Sequence, residues 1–362
     1  MRVLIAGGGT GGHVIPALAI ARELKSRYAA DILFVGTARG IENRLVPRAG
    51  FELMRIKVGA LKNVGLFTRL RTIFGLPLAI LEARKLIRIF APDVVVGVGG
   101  YASGPAMAAA ILGQIPTLAF EPNLVPGFAN KVVGHRVSAA AVHFEETKKY
   151  FHNAQVVGVP VRPEFFSIRP ADGAHPPTLL VFGGSQGAHA INQAMIGAFD
   201  AIQRKVPGIC LIHQTGERDY NDVQAAYASA GTAAEVSSFI DNMPQAFARA
   251  DVLVCRSGAS TVAEVTAAGK PAIFVPFPQA ADDHQRRNAE AIVAGGAAVL
   301  ISQAELTPER LSQTVGDLLS NPQRLSEMSE RARGLSHIDA AGRMARMVAE
   351  LAGKKQLLAS SC

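Results

Sequence analysis

The sequence predicts an α/β chain of two doubly wound parallel-sheet domains facing one another across a cleft, and three observations predict it. At 362 residues the chain exceeds one ordinary core, so two domains of about 150 to 180 residues are expected. Short apolar runs alternate with longer stretches of helical period, the pattern of β-α units around parallel sheets. A strand followed by a glycine-rich turn near the start returns about 176 residues later.

Taken in order, residues 3–6 form a strand that runs into Gly7-Gly8-Gly9-Thr10-Gly11-Gly12-His13, and residues 179–182 run into Gly183-Gly184-Ser185-Gln186-Gly187-Ala188-His189. The strand at 32–35 before Gly36-Thr37 is echoed at 210–213 before Gln214-Thr215-Gly216. Residues 94–98 lead into Gly99-Gly100-Tyr101-Ala102-Ser103-Gly104, as 252–255 lead into Arg256-Ser257-Gly258-Ala259-Ser260-Thr261. A fourth pair lies at 117–120 and 272–275. The turns then sit at strand C-termini, where doubly wound sheets bind ligands.

Two prolines in Val159-Pro160-Val161-Arg162-Pro163 restrict the backbone and mark a stiff hinge. The expected domains are residues 1–160 and 161–337. Helical periodicity near the end predicts a helix, about 338–362, that packs back on the first domain.

Apolar residues are 49% of the chain and charged residues 18%, enough for two packed cores and against extended disorder. No apolar run reaches the roughly 18 residues of a spanning helix, and the first apolar run stops at glycines before a signal-peptide core forms, so a cytosolic protein is expected. Cys210, Cys255 and Cys362 are far apart, with no metal-ligand spacing. The net charge of +8 is uneven: residues 1–150 hold 19 Lys/Arg against 9 Asp/Glu, so the first domain faces an anionic partner.

A glycine turn between strand and helix lets backbone N–H groups approach an anion while the helix dipole favours negative charge. Each turn alone is equally a plain tight turn; several together point to phosphate. Gly7 to Gly12 is no dinucleotide fingerprint, because no ribose-binding acid follows about 20 residues on. There is no G-x-x-x-x-G-K-[ST] phosphate loop. Without a D-x-D pair, a departing diphosphate would be neutralised by helix N-termini and arginine, with no metal and no cofactor required.

Four stretches in order make the likeness specific: Gly8-Gly9-Thr10-Gly11-Gly12-His13, Gly99-Gly100-Tyr101-Ala102-Ser103-Gly104-Pro105, Gly183-Gly184-Ser185-Gln186-Gly187-Ala188 and Cys255-Arg256-Ser257-Gly258-Ala259-Ser260-Thr261-Val262-Ala263-Glu264. With them the chain resembles, over nearly its whole length, the MurG family. These GT-B transferases, built of two Rossmann-like domains, move N-acetylglucosamine from UDP-N-acetylglucosamine onto lipid I, giving lipid II for peptidoglycan. The sequence departs from the family's common His-Glu-Gln-Asn at Phe120-Glu121-Pro122-Asn123, and from Gly-Asn-Pro at Gly158-Val159-Pro160.

The resemblance implies that Thr10, Gly11 and Gly12 meet the donor sugar and diphosphate, that Ser185 and Arg162 lie near the phosphates, and that Asn123 and Gln285 touch the sugar. It places Ile240 by the uracil and wraps Ala259, Ser260, Thr261, Val262, Ala263 and Glu264 around the nucleoside. Glu264 suits the ribose, since one carboxylate accepts from two hydroxyls. Thr261 to Glu264 also fits the S/T-x-x-E capping box, a purely structural alternative. His13, at a helix start that keeps imidazole neutral, is a candidate general base or a donor to phosphate or acceptor. Glu121 is the second candidate base, or a paired carboxylate at a strand end.

For the acceptor, Gly99, Gly100, Tyr101, Ser103 and Gly104 are expected to cradle the diphosphate of lipid I. Between Met54 and Phe90 stand eight basic residues against the single acid Glu82. Lys62, Phe67, Arg69, Leu70, Arg71, Ile73 and Phe74 give that stretch the mixed character of an anionic membrane contact. The alternative is an apolar face turned to the core under a solvated cationic one. The resemblance places the chain at the cytoplasmic face of the bacterial inner membrane, with cell-wall or division proteins as further partners. Nucleic acid is not expected, for there is no Trp and no recognised motif. Rival readings are another UDP-sugar glycolipid synthase, a UDP-N-acetylglucosamine 2-epimerase, a non-catalytic binding module and an NAD-dependent oxidoreductase.

Overall fold

The fold was read from a computed structural model. It describes residues 1–38, 40–58, 66–169, 175–184 and 186–360, with the side chains of 66–74 and 354–360 excepted. The chain divides into two compact units: unit 1 is Met1–Pro160 with Asp339–Cys362, and unit 2 is Val161–Ile338.

Unit 1 alternates strand and helix: β1 (Arg2–Ala6), α1 (Gly11–Tyr28), β2 (Asp31–Gly36), α2 (Glu42–Arg48), β3 (Glu52–Arg55), α3 (Leu66–Phe90), β4 (Val94–Gly97), α4 (Ser103–Leu112), β5 (Thr117–Glu121), α5 (Phe128–Val133), β6 (Ala139–Val142) and β7 (Ala154–Val156). All seven strands pair in parallel, in the order β3-β2-β1-β4-β5-β6-β7. Val3 of β1 sits between Ile32 of β2 and Val94 of β4. The central strands are buried on both faces, which is why they read in sequence as short, largely apolar runs.

Unit 2 repeats the plan with α6 (Pro163–Phe166), β8 (Thr178–Phe182), α7 (His189–Lys205), β9 (Cys210–Gln214), α8 (Tyr220–Ser229), β10 (Ala234–Ser237), α9 (Met243–Arg249), β11 (Val252–Cys255), α10 (Ala259–Ala268), β12 (Ala272–Phe274), α11 (His284–Ala294), β13 (Ala298–Leu300), α12 (Pro308–Leu319) and α13 (Pro322–Gly334). Its order is β10-β9-β8-β11-β12-β13, again parallel. Leu179, Val181, Met195, Phe199 and Leu311 centre its core. The chain closes with α14 (Ala340–Ser360), a member of unit 1 that packs on α1.

In each sheet the winding reverses beside the first strand, between β1 and β4 in unit 1 and between β8 and β11 in unit 2. The loops leaving such a pair diverge to opposite faces and open a crevice at their C-terminal ends. All four glycine-bearing turns leave these strands. No described helix is long and apolar enough to cross a membrane.

Candidate active site

The helices that follow the turns start without a side-chain cap, as α2, α5, α6, α8 and α11 also do. At α9, α12 and α13 the side chains of Asn242, Thr307 and Asn321 accept the N–H of the residue three further on. At α1, α7 and α10 the capping positions are Thr10, Ala188 and Gly258, with no side-chain cap and no acid in the first turn. The first N–H groups of a helix have no partner inside it, so these three starts keep donors and positive dipole ends for an anion.

In unit 2, Gly187 has φ +73°, and a Cβ there would collide with the Thr215 carbonyl. Only glycine allows the turn to lie this close to the end of β9. Gln214 fixes the relation further, its amide donating to Gly184 O at 2.8 Å and its oxygen accepting from Ile240 N at 3.2 Å. His189, first in α7, sets Nδ1 3.0 Å from Asp219 Oδ2, and Asn192 donates to the same oxygen at 2.8 Å. Ser185 lies outside the described residues.

The turn after β11 is braced by Arg256, which donates to Val275 O at 3.0 Å, Pro276 O at 2.9 Å and Gln303 Oε1 at 2.7 Å. Ser257 Oγ donates to Gln285 O at 2.8 Å, and Gln285 Oε1 accepts from Phe277 N at 3.0 Å. Along α10, Val262 and Ala263 are buried in the core, whereas Ala259, Ser260, Thr261 and Glu264 retain exposure. Because the helix is capped by Gly258, Thr261 is its third residue, and the capping-box reading of Thr261 and Glu264 does not hold. Glu264 instead stands opposite Arg162, with Nη2 to Oε1 at 3.8 Å. Burial pushes its carboxyl up to about 7 against the opposing pull of Arg162.

In unit 1 the first turn lies against the third. Gly8 N donates to Gly99 O at 3.3 Å, and a Cβ on Gly100, at φ +83°, would run into the Gly8 carbonyl. Gly9 and Thr10 are exposed, and the Gly9 N–H goes to Glu42 Oε2 at 2.8 Å. His13 Nδ1 sits 3.2 Å from Gly8 O and 3.4 Å from Thr10 Oγ1. A carbonyl only accepts, so in the neutral ring Nδ1 carries the proton and Nε2 the lone pair. Tyr101 is exposed and Gly104 half-buried at the start of α4, while Ser103 is fully buried with no hydrogen-bond partner for its hydroxyl.

Glu121 ends β5 with both oxygens occupied. Oε1 accepts from Asn123 N and Nδ2, each at 3.0 Å, and Oε2 from Gly127 N at 3.0 Å and Asn130 Nδ2 at 2.9 Å. Burial still raises its pKa above the ordinary carboxylate value, opposed by those four bonds. A carboxylate so enclosed holds the loop that carries Asn123.

Residues 3–142 match the glycosyltransferase family 28 N-terminal domain, and residues 178–344 its C-terminal domain. The chain is 46% identical to the UDP-N-acetylglucosamine--N-acetylmuramyl-(pentapeptide) pyrophosphoryl-undecaprenol N-acetylglucosamine transferase of Myxococcus xanthus, over 97% of this chain and 93% of that one. It is 43% identical to the transferase of the same name from Geobacter metallireducens, over 94% and 96%. The crystal structure of Acinetobacter baumannii MurG superposes with a TM-score of 0.83 at 33% identity, covering 96% of this chain and 99% of that one. The chain belongs to the MurG family. It is a glycosyltransferase of family 28 with two parallel-sheet α/β domains, the GT-B fold class of MurG.

Within this MurG-family frame the structure brings two groups of expected residues together. Thr10, Gly11, Gly12, His13, Gly99 and Gly100 gather at the switch point of unit 1, and Arg162, Ile240, Gln285 and the exposed side of α10 lie around the C-terminal ends of unit 2's strands. Lys62 lies outside the described residues. Phe67, Arg69, Leu70, Arg71, Ile73 and Phe74 fall on α3, in the stretch whose side chains are not described. Further along that helix Ala79, Ala83 and Ile87 are buried, while Leu78, Leu81 and Ile89 are exposed beside Arg84, Lys85 and Arg88. Sequence reasoning missed Glu42, Gln214 and Arg256 as braces of the turns. Only Arg256 had a signal, its place inside a matched motif.

Proposed function

We propose that the chain transfers N-acetylglucosamine, with inversion, from UDP-N-acetylglucosamine to the 4-hydroxyl of N-acetylmuramyl-pentapeptide on undecaprenyl diphosphate, converting lipid I to lipid II. One observation carries this: the identity to the Myxococcus xanthus transferase spans 97% of the chain and so includes both glycine-turn systems.

In this reading unit 2 holds the donor. The open start of α7, with Ser185 and the Arg162 guanidinium, faces the diphosphate and takes up charge as it departs. Ionised Glu264 accepts both ribose hydroxyls, Ile240 lies by the uracil, and Ala259, Ser260 and Thr261 surround the nucleoside. Gln285 and Asn123 touch the sugar. Thr10, Gly11 and Gly12 close on the donor sugar and phosphates, while Gly99, Gly100, Tyr101 and Gly104 serve the acceptor diphosphate. His13 Nε2 takes the proton of the acceptor hydroxyl as its oxygen bonds to the anomeric carbon and the bond to UDP breaks. Glu121 orders the loop of Asn123 and is not the base in this scheme.

Leu78, Leu81 and Ile89, ringed by Arg84, Lys85 and Arg88, continue the basic, apolar stretch and suit an anionic bilayer surface at the cytoplasmic face of the inner membrane. Cell-wall or division proteins would meet the chain there.

The test is product analysis with labelled UDP-N-acetylglucosamine and lipid I. A labelled disaccharide lipid and an equal amount of UDP are expected. Label appearing only as UDP-N-acetylmannosamine would reject transfer in favour of epimerisation.

A further inference from the structure

Glu42 is 1% exposed and opens α2, outside the four matched stretches. Its two carboxylate oxygens are divided between two segments. Oε1 accepts from Thr37 N at 3.0 Å and Thr37 Oγ1 at 3.1 Å, while Oε2 accepts from Gly9 N at 2.8 Å. The segment behind it is itself braced, since Asn43 Nδ2 donates to Thr37 O at 2.8 Å and Gly40 O at 3.0 Å, and Arg55 Nε donates to Asn43 Oδ1 at 2.6 Å. Gly9 is exposed, so its N–H would otherwise face water or a ligand.

Three glycines surround this carboxylate. A Cβ on Gly8 or Gly40 would collide with the Glu42 carboxylate, and one on Gly36 would come within 2.7 Å of its Cγ. Their missing side chains make room for a charged group under the turn. Gly7 N is also committed, to Val35 O at 3.0 Å, and Gly8 N to Gly99 O. The amides that remain to meet an anion are those after Gly9, at the uncapped start of α1.

We infer that Glu42 is a positioning residue of the transferase: by holding the Gly9 N–H it fixes the turn so that the amides of Thr10, Gly11 and Gly12 and the His13 ring present together to substrate. The inference rests on the reading of that turn as a substrate contact. A carboxylate is required because every atom facing it from Gly9 and the Thr37 backbone is a donor. A glutamine would set its own NH₂ against one of them and release one tether. A turn displaced by about 1 Å is enough to lower turnover on the order of 100-fold.

The test compares full-length wild type with Glu42→Gln in three measurements: steady-state transfer to lipid I, UDP titration and hydrogen exchange at the Gly9 amide. Expected are a fall in kcat of about 10- to 100-fold, a smaller loss of UDP affinity because most of the expected nucleotide contacts lie in unit 2, and reduced protection of the Gly9 amide. Thr37→Val, which removes only the Oγ1 donor and leaves α2 in place, gives a smaller drop in the same sense. Wild-type kcat in Glu42→Gln, or a loss of activity that merely tracks the unfolded fraction in melting curves, overturns the assignment. A wild-type chain that transfers nothing overturns the functional reading itself, a result distinguishable from active enzyme with an indifferent Glu42.

Discussion

Arg162 Nη2 stands 3.8 Å from Glu264 Oε1, the guanidinium from the residue that caps α6 and the carboxylate from the second turn of α10. Their separation exceeds a hydrogen bond, and Arg162 also lies over the Phe165 ring at 5.1 Å. The pair is therefore loose enough for both members to turn to ligand, which the proposed donor site requires of them, phosphate for one and ribose for the other.

With Glu264 as the proposed ribose contact, donor binding is expected to follow the ionisation of this carboxylate. With Glu264 raised to about 7, chiefly by burial and despite Arg162, the free chain is largely protonated there below that pH. A ribose diol requires an acceptor-only group, so UDP affinity rises as pH rises through about 7 and levels off above it. Below, it falls by up to about tenfold per pH unit. For folding the sign is reversed. The folded chain keeps a proton that the unfolded chain releases, so stability from this group is present below 4.5 and lost as pH climbs to about 7. Arg162 and buried Cys255 are the neighbouring groups that feel this charge. Calorimetric UDP titrations and melts from pH 5 to 8 check both trends, and Glu264→Gln should flatten both while weakening UDP.

His13 separates chemistry from binding. Replacement by Ala removes Nε2 together with the Nδ1 contact to Gly8 O, and a lost general base costs about 100- to 10,000-fold in kcat. His13→Asn can restore a donor toward Gly8 O but no basic nitrogen. Single-turnover rates at saturating substrates should be equally low in both variants, with UDP affinity kept. An Asn variant near wild-type rate would reduce His13 to a positioning donor.

What could be read from sequence was what is local. The four strand pairs are runs of buried residues, save exposed Cys210 at the start of one, and each turn's glycines lie within seven residues of a strand end. The edge strands β3, β7 and β10 were not legible. They are three or four residues long and mostly exposed or half-buried, so their pairing is decided by the neighbouring strand rather than by their own pattern. The braces escaped for a related reason: Glu42 reaches Gly9 across 33 residues and Gln214 reaches Gly184 across 30, distances at which no spacing rule operates. The reverse failure is Thr261 to Glu264, whose spacing imitates a cap although the helix starts earlier, at Ala259.

The surface of α3 gives a test of membrane contact that leaves the reaction centre alone. Leu78, Leu81 and Ile89 are 65%, 58% and 69% exposed, with no core to pack against among the described residues. Neutralising Arg84, Lys85 and Arg88 together should weaken co-sedimentation with phosphatidylglycerol vesicles by more than about 100-fold at low salt, at roughly 1 kcal/mol per charge. Leu81→Ser should lower binding at all salt concentrations, because it removes buried area rather than charge. Both should transfer normally to a water-soluble acceptor. Unchanged sedimentation in the triple variant would place the bilayer contact elsewhere.

The last helix belongs to the first unit, and its loss should be felt there. Along α14 the residues Ala340, Met344, Met347, Val348 and Leu351 are buried, with Met344 fully so, and Arg343 donates to Val156 O of the edge strand β7 at 2.8 Å. Asp339, before the helix, accepts from Arg27 of α1 at 3.3 Å. That ion pair is more than a third exposed and contributes little, so the apolar stripe supplies the attachment. Met344→Ala leaves a cavity in unit 1 at a cost of about 2 to 5 kcal/mol. Turnover should then disappear at a lower denaturant concentration than UDP binding, since the nucleotide's expected residues other than Thr10, Gly11, Gly12 and Asn123 lie in unit 2. Coincident loss of the two signals, at the wild-type midpoint, would show that the helix contributes nothing to the unit it packs on.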